Sequence, residues 1–212
     1  MIHTAEYAFE DEARLRELIR QHGWALLVSA ADDGMVASHV PVLLDEDEPG
    51  DSLVIVSHVG RPDEVLHQMG SGREVLLVVE GPYGYVSPSW YDYGPAVPTW
   101  DYVSAHLYGR LELLDADETY RVLSQTVDQY EKPLPDPVLL PDVAEYAQRT
   151  ARGAAGFRIR VTRWQGKAKL SQDKPRAVVE RVVAALEDDP HYANPVLAAA
   201  VREELGRRGE GA

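Results

Sequence analysis

Residues 85–102 read YVSPSWYDYGPAVPTWDY, and six of the eighteen are aromatic: Tyr85, Trp90, Tyr91, Tyr93, Trp100 and Tyr102. The chain as a whole is only 8% aromatic, so flat, stiff side chains are concentrated here. Three prolines and a glycine interrupt the segment, which predicts neither a helix nor a regular strand. Two roles suit such a surface. Rings with a hydroxyl or N–H at one edge can line a slot for a planar ligand. They can equally plug the open end of a barrel, and the residues alone leave both roles open.

Other reactive side chains are sparse. With no cysteine there is no thiolate chemistry and no disulfide framework. His39 in SHVP and His106 in SAHLYG sit among apolar strand residues, where buried neutral rings bonded to carbonyls account for them. No HxH or HExxH spacing is present, so no dedicated zinc site is expected. Ser87 and Ser89 lack a GxSxG elbow, which argues against a serine hydrolase. No Gly-rich phosphate loop occurs.

Net charge is −14, a surface that repels nucleic acid unless a basic patch is set apart. The best basic stretch is Arg158, Arg160, Arg163, Lys167, Lys169 and Lys174, with Arg176 beyond it. In FRIRV the arginines alternate with apolar residues, as on the solvent side of a strand. Direct nucleic-acid binding is therefore disfavoured. Apolar runs such as EVLLVVE fall well short of the ~20 residues that span a bilayer. The N-terminus has no signal-peptide pattern, and the expected compartment is the cytoplasm.

The elements that must position these groups mix helix and strand. EDEARLRELIRQHG predicts a first helix, with Leu15, Leu18 and Ile19 on one face. WALLVSA and MVASHVPVLLD predict a hairpin turning at Asp32-Asp33-Gly34, followed by strand SLVIVSHV and the charged turn DEDEPGD. PDEVLHQMGSG predicts a short helix with Pro62 in its first turn. EVLLVVEGP and YVSAHLYGRLELL predict strands flanking the aromatic loop. DADETYRVLSQTVDQYE predicts a helix capped by Asp115, and PDVAEYAQRTARG another ending at Gly153. GFRIRVTRWQGKAKLSQ predicts a late strand pair, and two helices close the chain. The pattern is α+β: an antiparallel barrel with peripheral helices, read as one domain over 1–205 and a frayed tail over 206–212.

Several motifs stand in an order that resembles one family. These are SHVP at 38–41, His58 ending a strand, GPYGYVSPSWY at 81–91, VPTWDY at 97–102, His106 with its following Tyr108-Gly109, and KLSQ at 169–172. Together they resemble the PaiB-like family, often labelled FMN-binding negative transcriptional regulators, of the split-barrel fold. The resemblance spans about residues 38 to 172. Two departures stand out. Asp63, Glu64 and Leu66 occupy the places of the family's Asn, Pro and Trp, and Asp101 stands where asparagine is common.

The resemblance implies an antiparallel split β-barrel that forms a homodimer and holds a cofactor at the subunit interface, with a small-molecule substrate. FMN is the cofactor the family label implies. Its phosphate would call on Ser87, Ser89, Thr99 and Lys169, with Arg61 and Arg73 as further cations. Trp90, Trp100, His106 and Gln172 complete the implied pocket. Haem b is the alternative, since the similar piperazate synthases use haem to close an N–N bond on an N-hydroxylated ornithine. His58 would then be the axial ligand, and Arg61 and Lys169 would meet the propionates. Lys169 is the implied proton-transfer or substrate-anchoring residue. An enzyme is favoured over a non-catalytic regulator, which the family label also allows.

Overall fold

The computed structural model describes residues 4–46, 48 and 52–209. Part of the charged turn 45–51 and the last residues of the expected tail lie outside them; the final helix itself runs on to Gly209. Seven strands form one sheet in the order β1-β7-β4-β3-β2-β5-β6, and β6 pairs again with β7, so the ring of hydrogen bonds closes. The strands are β1 (Ala8–Phe9), β2 (Trp24–Ala31), β3 (Gly34–Leu44), β4 (Val54–Gly60), β5 (Glu74–Val86), β6 (Thr99–Leu113) and β7 (Ala154–Lys169). The helices are α1 (Glu12–Gln21), α2 (Arg61–Leu66), α3 (Ala116–Glu131), α4 (Ala144–Ala151), α5 (Arg176–Asp188) and α6 (Pro195–Gly209). This is the α+β antiparallel split barrel with peripheral helices. The chain groups into two compact units, one of residues 1–11, 80–105 and 165–212, the other of 12–79 and 106–164.

Local chemistry explains the elements of the larger unit. In α1 the residues Leu15, Leu18 and Ile19 are buried at helical spacing. Ala31 faces Gly34 across a two-residue turn, where Gly34 takes φ of 128°. The Asp115 carboxylate accepts a 2.8 Å hydrogen bond from the Glu118 N–H, which caps α3. Inward residues of the strands, among them Leu27, Ile55, Leu77, Phe157 and Ile159, are fully buried. Arg158 and Arg160 are not a phosphate track. Arg158 lies 3.5 Å from Asp45 and 3.4 Å from Glu118, and Arg160 bonds Glu48 and Glu112.

In the smaller unit α5 buries Val178, Val179, Val182, Val183 and Leu186, and α6 buries Leu197 and Val201. α6 reaches the strand closely: a Cβ on Gly84 would lie 2.9 Å from Leu197. Asn194 at the start of α6 donates to the Tyr83 carbonyl at 2.9 Å.

Two expectations need correction. The aromatic segment is partly strand, because β5 runs through Tyr85 to Val86 and β6 already begins at Thr99. The prolines and Gly94 fall between, at 88–98, while the aromatic and β-branched residues outside that interval suit a pleated surface. The late strand pair is a single sixteen-residue strand, β7. Gly166 lies within that strand, where a Cβ would sit 2.5 Å from the Phe9 ring.

Candidate functional site

KLSQ and PTWDY meet across the ends of β7 and β6. The Lys169 ammonium donates to Thr99 Oγ1 at 2.7 Å, to the Trp100 carbonyl at 2.7 Å and to Asp101 Oδ1 at 3.1 Å. Asp101 is fully buried, and its other oxygen, Oδ2, accepts from the Ser171 hydroxyl at 2.6 Å. Ser171 reaches it from a left-handed backbone position, φ 58°. Gln172 braces that turn by accepting from the Leu170 N–H at 2.6 Å and donating to the Ala168 carbonyl at 2.6 Å. Its amide is thus bonded to the backbone of its own turn.

Burial pushes the Asp101 carboxyl above its ordinary value, opposed by the Ser171 hydrogen bond and the Lys169 charge. The three ammonium hydrogens of Lys169 match three acceptors, so the side chain is a clamp. Thr99 Oγ1 accepts from Lys169, so its own hydroxyl proton is not used in that bond. Ser87 and Ser89 share a hydroxyl–hydroxyl bond of 2.7 Å.

Beside this cluster the rings form a row. Tyr83 and Trp100 lie 6.4 Å apart between centroids, Trp100 and Tyr85 6.3 Å, and Tyr85 and Tyr192 4.9 Å. Trp100 is 56% exposed and Tyr83 60%. Other rings of the segment make contacts within the unit. Tyr91 is buried, stacks on Tyr93, carries Lys174 5.0 Å from its ring centre, and gives its carbonyl to Arg181. Trp90 is half-buried and hydrogen-bonds Asp189.

His58, Arg61 and His106 belong to the other unit. His58 lines a cavity there; its Nδ1 is sealed from solvent and bonded to nothing. Burial depresses its pKa, so it is neutral near pH 7. A metal-bound histidine normally donates its other ring N–H to an oxygen. With no such oxygen, the His58 ring does not fit an axial iron ligand. Arg61 pairs with Glu64 at 2.7 Å, and Arg73 with Asp32 at 2.6 Å. Neither remaining histidine is the carbonyl-bonded core residue expected. His39 is on the outer face of β3, exposed and stacked on Trp24, while His106 Nδ1 has no partner. Among the described residues no group of three metal-ligating side chains occurs, and no helix is long and apolar enough to cross a membrane.

A family model described as "Putative FMN-binding domain" matches residues 1–163. The chain belongs to this FMN-binding-domain family. It is 25% identical over 191 residues to protease synthase and sporulation protein PAI 2 of Bacillus subtilis, covering 90% of this chain and 91% of that one. Solved structures share the fold. A conserved hypothetical protein of Mycobacterium tuberculosis superposes with TM-score 0.58 at 12% identity, over 82% of this chain and 94% of that one. An FAD- and haem-binding protein of Mycobacterium smegmatis gives 0.54 at 16%, over 77% and 73%.

Within this FMN-binding-domain chain, one departure from the family motif builds a polar chain that sequence reasoning did not find. Asp63 Oδ1 accepts from the Ser38 hydroxyl at 3.3 Å, Ser38 Oγ lies 3.0 Å from His67 Nε2, and His67 Nδ1 lies 2.5 Å from Ser29 Oγ. His67 and Ser29 are buried. The only signal was the Asp63 departure itself, since the serines are twenty-five and thirty-eight residues from their partners.

A pH dependence follows. Burial lowers the pKa of His22, His58, His67 and His106 from the ordinary 6.5. A depressed folded pKa gives stability that is complete above 6.5 and is lost as pH falls through the folded values. The urea midpoint should therefore drop between pH 7 and 5, and His67→Gln should flatten that drop. A midpoint constant over this interval would contradict the burial of these rings.

Proposed function

We propose that the protein binds FMN with the isoalloxazine ring on the Tyr83–Trp100–Tyr85–Tyr192 row. The observation that carries this reading is an exposed aromatic row beside the half-buried Lys169 and its buried partner Asp101. Membership of the family supports it. The phosphate would be met by the hydroxyl proton of Thr99 and the Ser87–Ser89 hydroxyls, with the Lys169 charge directly behind Thr99. A bound flavin supplies hydride and electron transfer. This chain's own part is to stack the ring, hold the anion and keep a proton between Lys169 and Asp101. The reading is thus an oxidoreductase-like enzyme acting on a small molecule.

Haem chemistry of the N–N-forming type finds less support, because His58 lacks the acceptor that an iron-bound ring needs. A DNA-reading regulator also finds little, with Arg158 and Arg160 engaged by carboxylates. A homodimer belongs to the proposal. On the outer face of β2, β3 and β5, Trp24 and Met35 are 59% and 71% exposed, and Leu26, Val28, Leu76 and Val78 are only half-buried. So broad an apolar face is the kind that a second copy covers. A monomer at micromolar concentration in sedimentation equilibrium would count against it.

The test is an FMN titration followed by flavin fluorescence. Wild type should quench the flavin, and Trp100→Ala should weaken binding about five- to tenfold, the value of one aromatic stack. Equal affinity in both proteins would reject the row as the flavin platform.

A further inference from the structure

The apolar cavity at His58 is independent of the flavin reading and shares none of its residues. It lies among β4, α3, α4 and the 3₁₀ turn before α4, with a volume of about 540 Å³, within the range of small-molecule sites. Leu123, Val127, Leu140 and Val143 form its walls. The polar side chains in the lining are His58 and two hydroxyl residues, with no charged group among them.

The state of the His58 ring decides what such a cavity can hold. Nδ1 is sealed and has no partner, so Nε2 is the nitrogen left to meet a ligand. A buried N–H without an acceptor is rarer and costlier than an unused lone pair. The neutral ring therefore keeps its proton on Nε2 and offers a donor. We infer that this cavity binds a small, uncharged, mainly apolar molecule that presents one hydrogen-bond acceptor, a carbonyl or ether oxygen, to His58 Nε2–H. A carboxylate or phosphate ligand would have no cation in the lining, and an iron would need the lone pair that the proton occupies.

Acetophenone and isopropylbenzene are matched probes, of similar shape with and without the acceptor. Calorimetric titration of the full chain should show both binding to wild type. The preference for acetophenone over isopropylbenzene should fall about fivefold in His58→Phe, the net value of one hydrogen bond. Ala147→Trp, which fills the cavity, should abolish both. ¹⁵N-histidine NMR of the unmutated protein should find the Nε2–H tautomer at His58, and this holds even if a variant fails to fold. The inference is overturned by an Nδ1–H tautomer, by no binding of either probe, or by a preference unchanged in His58→Phe. A haemin Soret band that His58→Phe removes would also overturn it. The flavin titration stands or falls separately, because Trp100 takes no part here.

Discussion

Lys169→Met should lower the stability of the protein by about 3–5 kcal/mol, the cost of leaving a buried carboxylate without its cation. Among the described residues the ammonium is the cation within hydrogen-bond reach of Asp101, whose carboxylate has no exposure to water. Methionine fills much of the same volume, so the loss is electrostatic rather than a cavity. Asp101 would keep the Ser171 hydrogen bond and only the more distant charge of Lys174. Its easiest response is to take up a proton, which burial already favours. The sign follows from linkage. A carboxyl whose folded pKa is raised favours the folded state below its ordinary value of 3.8, and that contribution is lost as pH rises through the folded pKa. Removing Lys169 raises the folded pKa further, so the deficit should be greatest near neutral pH and narrow on acidification. Urea denaturation of wild type, Lys169→Met, Asp101→Asn and the double variant would read this. The double variant should recover part of the loss, because the orphaned charge is gone. A deficit below about 1 kcal/mol, of the size of a surface pair, would mean that the pair is solvated and the clamp unimportant.

That clamp also shows where the sequence stops being legible. Patterns confined to one element were readable: the apolar face of α1, the Asp32-Asp33-Gly34 turn, the Asp115 cap of α3. Each depends on residues within a few positions of one another. The motif KLSQ was readable as a family feature, but its internal division of labour was not. Lys169 meets Asp101 from sixty-eight positions away, and Gln172 reaches back to Glu6. Only strand register brings such groups together. Asp101 therefore looked like a departure from asparagine, whereas in the folded chain it is the acceptor for both Lys169 and Ser171. Gly166 is illegible for a related reason, since it makes room for the Phe9 ring from β1. His58 was singled out from its place at a strand end, but the lack of a partner for its Nδ1 is a property of packing, not of spelling.

The same distinction makes Gly109→Val the sharpest test of the fold. A Cβ on Gly109 would lie 2.2 Å from the Arg160 carbonyl oxygen and 2.8 Å from its carbon, with the Ile159 side chain at 2.9 Å. Two of these neighbours are backbone atoms of β7, which cannot rotate out of the way. β6 and β7 pair here to close the ring, so relief would require opening that seam. Strand propensity pulls the other way, since valine is better than glycine in a strand by up to about 1 kcal/mol. The two effects have opposite signs, and at these distances the steric one wins. Gly109→Val should cost about 3 kcal/mol or more, at the upper end of overpacking, or prevent folding. Gly60→Ala is the matched control, because its nearest neighbour would be 3.6 Å away, an ordinary contact. It should stay within about 0.5 kcal/mol of wild type. If Gly109→Val instead melts at or above the wild-type temperature, propensity has prevailed, and β6 and β7 do not approach closely enough to close the barrel.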